Sequence, residues 1–214
     1  MSHCISVASS FHRRLPHWNR NNAEYFVTWR LAGSLPTCVM ADRFTCDGNK
    51  FVRADRLLDA CPTGPYWLRR NDIAGAVRDI LLRGERDGEY QLGSWVLMPN
   101  HVHIIVLPRL ELSPVIAAVK ARTARQANHL LVRTGQAFWA KDYYDHWIRN
   151  RIEEQRIARY IEENPVKAGL CKSAELWPWS SAYPRQTRLA PRVPSVPGPL
   201  AMVFGYQLVK AFAA

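Results

Sequence analysis

The sequence predicts an α+β fold, a ferredoxin-like split βαβ sandwich with helices on one face of an antiparallel sheet and an added C-terminal helix. The first observation is the order of the patterned segments, which runs strand, helix, strand, strand, helix, strand, helix. The second is that only Pro99 and Asn100 separate two adjacent strand segments, which therefore form a hairpin. The third is a length of 214 residues with 48% hydrophobic content, which suffices for one core.

The first half of the chain contains one strand and two helices by its residue pattern. Residues 25–31 (YFVTWRL) are aromatic and β-branched with rough alternation, which is typical of a strand. The segment 53–60 (RADRLLDA) indicates a short helix within an irregular stretch. A longer helix is predicted from an N-cap at Asn71 or Asp72 to Gly84, which we expect to end it. Its inward face carries Ile73, Val77, Ile80 and Leu81.

The remaining strands are predicted in the second half. The hairpin strands cover residues 89–98 and 101–107, and a short strand follows at 144–148. In the second hairpin strand, positions 102, 104 and 106 are apolar, and so are Ile105 and Leu107 on the opposite side. This pattern predicts a central strand that is covered on both faces.

Two further helices complete the pattern. Ser113 followed by Pro114 is an N-cap signature for a helix that runs to about residue 133. Its inward residues are Ile116, Val119, Leu130 and Leu131. The last helix is predicted over residues 151–164, and it ends before Pro165 because a residue that precedes proline disfavours the helical region.

Basic residues outnumber acidic ones and dominate both ends of the chain. Lys and Arg total 29 against 18 Asp and Glu, and the formal net charge of +11 favours a polyanionic partner such as nucleic acid. No acidic residue occurs before Glu24 or after Glu175, so both ends suit a phosphate backbone, although solvated tails would have the same composition. No apolar run is long enough to span a bilayer, and five cysteines without a C-x-x-C pair favour a reducing cytoplasm.

Two histidines and one helix carry the residues suited to catalysis. His101 and His103 lie two apart on a predicted strand, so their imidazoles leave the same face and can share one cation. Tyr160 and Asn164 lie at i and i+4 on the last helix, which puts a phenol and an amide on one stripe. Phosphodiester cleavage without a water nucleophile requires such a hydroxyl and a cation. Arg156, one turn before the tyrosine, is a candidate helper.

Less specific interpretations remain open at these positions. His101 and His103 also fit a hydrogen-bonded pair at the end of a strand, and Tyr160 fits an aromatic side chain at the edge of the core. Glu163 competes with Asn164 as an oxygen ligand. A metallohydrolase of the amidohydrolase type also uses two histidines in this spacing, but its eight-stranded barrel requires repeated βα units that the sequence lacks.

Four segments in this chain match a known pattern in the correct order. They are MPNHVHIIV (98–106), FWAKDYYDHWIR (138–149), RYIEENPVKAGL (159–170) and WPWSSAY (177–183). With them the sequence resembles the REP-associated tyrosine transposases, which belong to the wider IS200-like, single-tyrosine superfamily. FVTWRLAGSLP (26–36) looks like the first strand of that family, whereas residues 37–70 and the tail from about 189 match no pattern.

The resemblance implies a mechanism. In that family two histidines and a polar residue one turn after the tyrosine bind Mg²⁺ or Mn²⁺, and the tyrosine attacks DNA to leave a 5′-phosphotyrosine and a free 3′-OH. Carried over, His101, His103 and Asn164 become the metal ligands and Tyr160 the nucleophile. Imidazole ligands by themselves suit Zn²⁺ or Cu²⁺ equally, so the choice of metal comes from the resemblance. Rejoining needs no nucleotide cofactor, because the covalent link conserves the bond energy.

The resemblance also implies a partner, which is single-stranded DNA that folds into small imperfect hairpins. The lack of a long apolar run predicts no membrane partner. The basic residues expected against this DNA are Arg13, Arg14, Lys120, Arg122, Arg125 and Arg156. The expected organisation is a basic arm (1–22), a catalytic domain (23–175) and a proline-rich basic tail (176–214). We expect a monomer or homodimer in the cytoplasm, associated with the nucleoid. The alternative is a transposase relative that binds hairpin DNA with an idle site.

Overall fold

A four-stranded antiparallel sheet lies at the centre of the computed structural model, which describes residues 23–35, 55–60 and 64–184. The strands are β1 (Tyr25–Arg30), β2 (Tyr90–Leu97), β3 (His101–Pro108) and β4 (Tyr144–Trp147), and their order across the sheet is β2-β3-β1-β4. The helices are α1 (described over residues 55–60), α2 (Asn71–Arg86), α3 (Leu112–Leu130) and α4 (Arg151–Lys167). Short 3-10 helices cover Trp67–Arg69 and Ala174–Leu176. The predicted α+β fold and the order of its elements are confirmed, including the short helix at 53–60 within its described part.

The sheet has a different core on each face, because successive side chains of a strand point to opposite sides. On one face the larger core joins β1 and β3 to α2 and α3, through residues such as Val27, Trp29, Val102, Val77 and Ile116. On the other face Phe26 and Ile105 pack with Ile157 and Ile161 of α4. The central position of β3 is therefore confirmed, and α4 is the added helix on the second face.

Three boundaries of α2 and α3 differ from those expected. Gly84 does not end α2; a Cβ at this position would lie 2.5 Å from the Tyr90 hydroxyl, so the glycine makes room for that ring. The turn comes at Gly88, which has a φ of 74°. The N-cap of α2 is Arg70 rather than Asn71 or Asp72. At the start of α3 the N-cap is Glu111, because the hydroxyl of Ser113 is bonded instead to that of Tyr143.

Helix α4 continues through Pro165 and ends at Lys167, so the predicted end at Asn164 is wrong. Asn164 and Pro165 are both buried, and this packing outweighs the local bias of a residue that precedes proline. The consequence is that one further turn of α4 follows Asn164. Lys167 belongs to that turn and therefore to the same helix as Tyr160.

The chain after α4 returns to the outer edge of β2, and we call residues 177–181 the C-terminal strap. The Trp177 indole donates to the carbonyl of Leu97 at 3.0 Å, and the Leu97 amide donates to the carbonyl of Trp179 at 2.8 Å. The Ser181 amide donates to the carbonyl of Trp95 at 2.9 Å. Both strap tryptophans, Trp177 and Trp179, pack against the cores. Within the described ranges, no helix is long and apolar enough to cross a membrane.

Candidate metal centre and nucleophile

His101 and His103 lie fully buried on the central strand, on the face that α4 covers. The strand places them on one side, as predicted, and their Nε2 atoms lie 3.0 Å apart. Two ligands that bind one metal at right angles with bonds of about 2.1 Å are separated by about 3 Å. The spacing between the two nitrogens is therefore that of two ligands of one cation.

Neighbouring side chains turn the two imidazoles so that their Nε2 atoms face each other. Asn100 lies 2.7 Å from Nδ1 of His101 through its Oδ1. Its amide nitrogen donates to the carbonyl of Leu58 at 3.1 Å, and this second bond fixes which end of the amide faces the histidine. His101 therefore carries its proton on Nδ1 and a lone pair on Nε2. The hydroxyl of Thr28 lies 2.7 Å from Nδ1 of His103, and this hydrogen bond holds the second ring in its orientation.

Helix α1 brings two carboxylates to the histidines. Asp55 Oδ1 lies 3.3 Å from Nε2 of His103 and 3.9 Å from Nε2 of His101, and Asp59 Oδ1 lies 3.7 Å from the latter. Asp55, His101 and His103 form a cluster whose ligand atoms all lie within 4.8 Å of one another. Sequence reasoning missed both aspartates. Their spacing of one helical turn in the segment 53–60 was the available signal.

The cluster is electrostatically incomplete without a cation. Burial raises the pKa of Asp55 well above its ordinary value, and Asp59 raises it further. Burial also raises the pKa of Asp59 to about 7, and it lowers the pKa of His101 to about 3. Buried charge of this kind is compensated in proteins by a partner or a metal ion. The histidines therefore remain neutral and do not offset the charge of the two carboxylates.

Orphaned oxygens point to the same conclusion. Oδ1 of Asp55, Oδ1 of Asp59 and Oδ1 of Asn164 are buried without a hydrogen-bond partner. Buried polar atoms are nearly always satisfied, so three such oxygens beside two imidazole lone pairs require an explanation. A bound divalent cation would explain them, because such an ion coordinates both imidazole nitrogens and carboxylate or amide oxygens. The residues present fit a metal ion.

Helix α4 places the tyrosine and the asparagine next to this cluster. The Tyr160 ring lies 5.8 Å from the His103 ring and 6.2 Å from the Phe26 ring, between centroids. Nδ2 of Asn164 lies 3.3 Å from Nε2 of His103, and a half turn of the amide would bring its oxygen to this position. Glu163 is half-exposed and paired with Lys167 instead. Of Asn164 and Glu163, Asn164 is therefore the one that contacts a histidine.

Helix α3 carries three of the expected DNA-binding residues, and it packs on the sheet face opposite to the histidines. Lys120 donates to the carbonyl oxygens of residues 140–142, at 2.9 to 3.3 Å. Arg122 forms a two-pronged ion pair with Glu89. Arg125 is exposed. A role for them in binding DNA stays a prediction, and two of the three are already engaged within the chain.

The other expected basic residues differ in position. Arg156 is exposed on α4, on the same helix as the tyrosine. Arg13 and Arg14 lie outside the residues that the structure describes. Arg30, which the sequence did not single out, is buried on β1 and pairs in register with His101. The alternation of β1 places this guanidinium on the histidine face of the sheet.

Comparison with known proteins identifies relatives of this chain. Residues 66–164 match the family described as Transposase IS200 like. A REP-associated tyrosine transposase of Escherichia coli (strain K12) is 28% identical over 108 residues, which are 50% of this chain and 63% of that protein. The alignment thus covers less than two thirds of the relative. A solved structure described as the REP associates tyrosine transposase bound to a REP hairpin is 19% identical with a TM-score of 0.49, over 91% of this chain and 99% of that one.

Proposed function

Since residues 66–164 match the family described as Transposase IS200 like, we propose that this chain is a metal-dependent single-strand DNA endonuclease and strand transferase. It acts on hairpin, REP-like DNA through a 5′-phosphotyrosine intermediate. One observation supports the proposal most directly. Asp55, His101 and His103 form a cluster, and the ring of Tyr160 lies beside that of His103. This arrangement combines a cation site and a hydroxyl nucleophile.

In this proposal His101, His103 and Asp55 hold Mg²⁺ or Mn²⁺, with Asn164 and Asp59 as further oxygen donors. The oxygen ligands shift the site toward these harder ions, which imidazole alone would not favour over Zn²⁺ or Cu²⁺. When bound, the cation withdraws charge from the non-bridging oxygens of the scissile phosphate. Asn100 and Thr28 keep the imidazoles turned toward it.

Tyr160 supplies the attacking oxygen. Cleavage forms a bond between the phenol oxygen and phosphorus and breaks the bond between phosphorus and the 3′ oxygen. The 3′ oxygen keeps the bonding electron pair and gains a proton, while the phenol gives up its own proton to solvent. The phosphotyrosine retains the energy of the broken bond, so attack by the 3′-OH of an acceptor strand reverses the step without a nucleotide cofactor.

The substrate assignment rests on charge and on the relative. The net charge of +11 favours a polyanion, and the Escherichia coli relative is named for its association with REP elements. Tyr160 is half-buried, so a single strand can reach it more easily than a rigid duplex can. A base-paired stem beside an unpaired flank provides such a strand.

The experiment that tests the function is trapping of the covalent intermediate. The full chain is incubated with Mn²⁺ and labelled hairpin oligonucleotides that carry randomised unpaired flanks, and it is then run on a denaturing gel. We expect a labelled adduct with the wild-type chain and none with Tyr160→Phe. Tyr183→Phe, beyond the C-terminal strap, is the matched control and should form the adduct normally.

Two results would contradict this proposal. An adduct that persists in Tyr160→Phe would exclude the tyrosine as nucleophile. Binding of the hairpins without any adduct, in Mg²⁺ as well as Mn²⁺, would favour the alternative, a transposase relative that binds hairpin DNA with an idle site.

A further inference from the structure

Lys167 lies on the same stripe of α4 as the nucleophile. Tyr160, Asn164 and Lys167 occupy positions i, i+4 and i+7, which lie above one another on a helix. The ammonium of Lys167 lies 5.2 Å from the centroid of the Tyr160 ring. This contact exists because α4 continues through Pro165 for one more turn.

The charge of Lys167 also reaches the carboxylates of the cluster. It lowers the pKa of Asp55 and of Asp59, against the larger effect of burial, which raises both. The same ammonium therefore lies beside the Tyr160 ring, and its charge acts on both carboxylates of the cluster. An anionic group placed between Tyr160 and the cluster would lie within its reach.

The ion pair between Lys167 and Glu163 does not prevent a contact between Lys167 and such an anionic group. The ammonium of Lys167 lies 3.4 Å from Oε2 of Glu163, and the two side chains are 54% and 46% exposed. An exposed pair of this kind contributes little to stability, because solvent screens both charges. An ammonium has three donors, so it can keep the glutamate or exchange it when a phosphate arrives.

We propose that Lys167 is a further catalytic residue, which donates to a non-bridging oxygen of the scissile phosphate while Tyr160 attacks. This inference rests on the proposed function. As the phenol oxygen bonds to phosphorus and the 3′ oxygen leaves with its electron pair, negative charge accumulates on the non-bridging oxygens. Lys167 stabilises that charge from the side of α4, and it does so equally when the 3′-OH attacks the phosphotyrosine. No proton or electron is transferred to the lysine.

Lys167 could instead have a purely structural role, which is to stabilise the end of α4. A cation in the last turn of a helix interacts favourably with the helix dipole and would stabilise α4 without touching DNA. That role predicts a lower melting temperature for Lys167→Met. It predicts no loss of a phosphate contact and no selective loss of rate.

The test uses the full chain with Mn²⁺ and the labelled hairpin oligonucleotides, in two measurements. The first is the rate of adduct formation in a single turnover. We expect Lys167→Met to lower it by about tenfold to a hundredfold, at or below the cost of losing one donor from an enclosed oxyanion site. Lys167→Arg should recover most of the rate. Lys172→Met, which removes an exposed positive charge beyond α4, should leave it unchanged.

The second measurement is binding, with Tyr160→Phe as background so that the DNA stays uncut. The slope of log Kd against log salt concentration should fall by about 0.7 when Lys167→Met is added, the value for one phosphate contact on a single strand. Lys172→Met should leave that slope unchanged. A reduced slope without an adduct in the wild-type chain would refute the proposed function and support the phosphate contact.

Three results would overturn the role of Lys167. The first is an adduct formed at the wild-type rate by Lys167→Met. The second is an unchanged salt slope, or no binding of the oligonucleotides at all. The third is an equal loss of rate in Lys167→Met and Lys167→Arg with a parallel fall in melting temperature, which would assign the lysine to the stability of α4.

Discussion

The carboxylate of Asp55 lies 3.3 Å from Nε2 of His103, so a short helix completes a cluster that begins on the central strand. The family match starts at residue 66, which leaves α1 outside the matched region. The cluster therefore combines residues from the matched region with residues that the match does not cover. Its members can be tested one at a time.

Asp55→Asn should weaken the binding of Mn²⁺ by about tenfold or more. The substitution keeps the size of the side chain but removes the negative charge that offsets the cation. Titration calorimetry of the metal-free protein with Mn²⁺ measures the change. Asp79→Asn, an exposed position on α2, is the control and should bind as the wild type does. Equal affinities for Asp55→Asn and wild type would remove Asp55 from the ligand set.

Thr28→Val should weaken Mn²⁺ binding by about tenfold, because valine keeps the shape of threonine but cannot hold Nδ1 of His103. The same calorimetric titration measures it. The exposed Thr134→Val serves as the matched substitution and should have no effect. If Thr28→Val bound Mn²⁺ with unchanged affinity, the orientation of His103 would not depend on this hydrogen bond.

Asp59→Asn should raise the melting temperature of the metal-free protein at about pH 8. Burial raises the pKa of Asp59 to about 7, so the folded state holds this proton more tightly than the unfolded chain does. A raised carboxyl pKa costs stability progressively as the pH rises from about 4 through about 7, and the asparagine removes that cost. At about pH 4 the variant and the wild type should melt together.

Circular dichroism in the presence of a chelator measures both melting temperatures. His101 and His103 titrate in both proteins, so their contribution cancels in the difference. A difference of the same size at both pH values would show that the carboxyl charge of Asp59 is not its cause. Added Mn²⁺ should stabilise the wild type more than Asp59→Asn, because the wild type has the additional anionic oxygen.

Gly84→Ala should destabilise the protein by about 1–3 kcal/mol, because the added Cβ meets the Tyr90 ring inside a packed core. Tyr90 cannot move away easily, since its hydroxyl donates to the carbonyl of Leu81 at 2.8 Å. Gly75→Ala on the same helix has space and should stabilise by about 0.5–1 kcal/mol. Urea unfolding measures both. Similar effects at the two glycines would indicate that only helix propensity matters.

The sheet and the histidine pair were predictable because alternation along a strand is a local property of the sequence. Residues 101–107 showed apolar side chains on both sides, and the structure confirms a central strand with a core on each face. His101 and His103 follow from the same alternation. Their shared direction needed no knowledge of the rest of the chain.

Tertiary packing decided the features that were not predictable. Asp55 and Asp59 lie on a short helix whose polar face resembles any solvated one, so only the fold shows that it lies against β3. A glycine at position 84 is compatible with a helix end and with close packing inside a helix. The contact with Tyr90, which only the fold shows, accounts for the second. The burial of Pro165 overrides a local rule and adds the turn that carries Lys167.

The C-terminal strap has a consequence for the behaviour of the protein at high concentration. An outer strand presents unpaired backbone groups that a second molecule can use to extend the sheet. Here Leu97 and Trp95 exchange backbone hydrogen bonds with the strap, and Trp177 occupies a further carbonyl. At the other side of the sheet, β4 has only four residues and offers little template. The strap thus protects the longer outer strand from edge-to-edge aggregation, and shortening the chain before Trp177 would expose it.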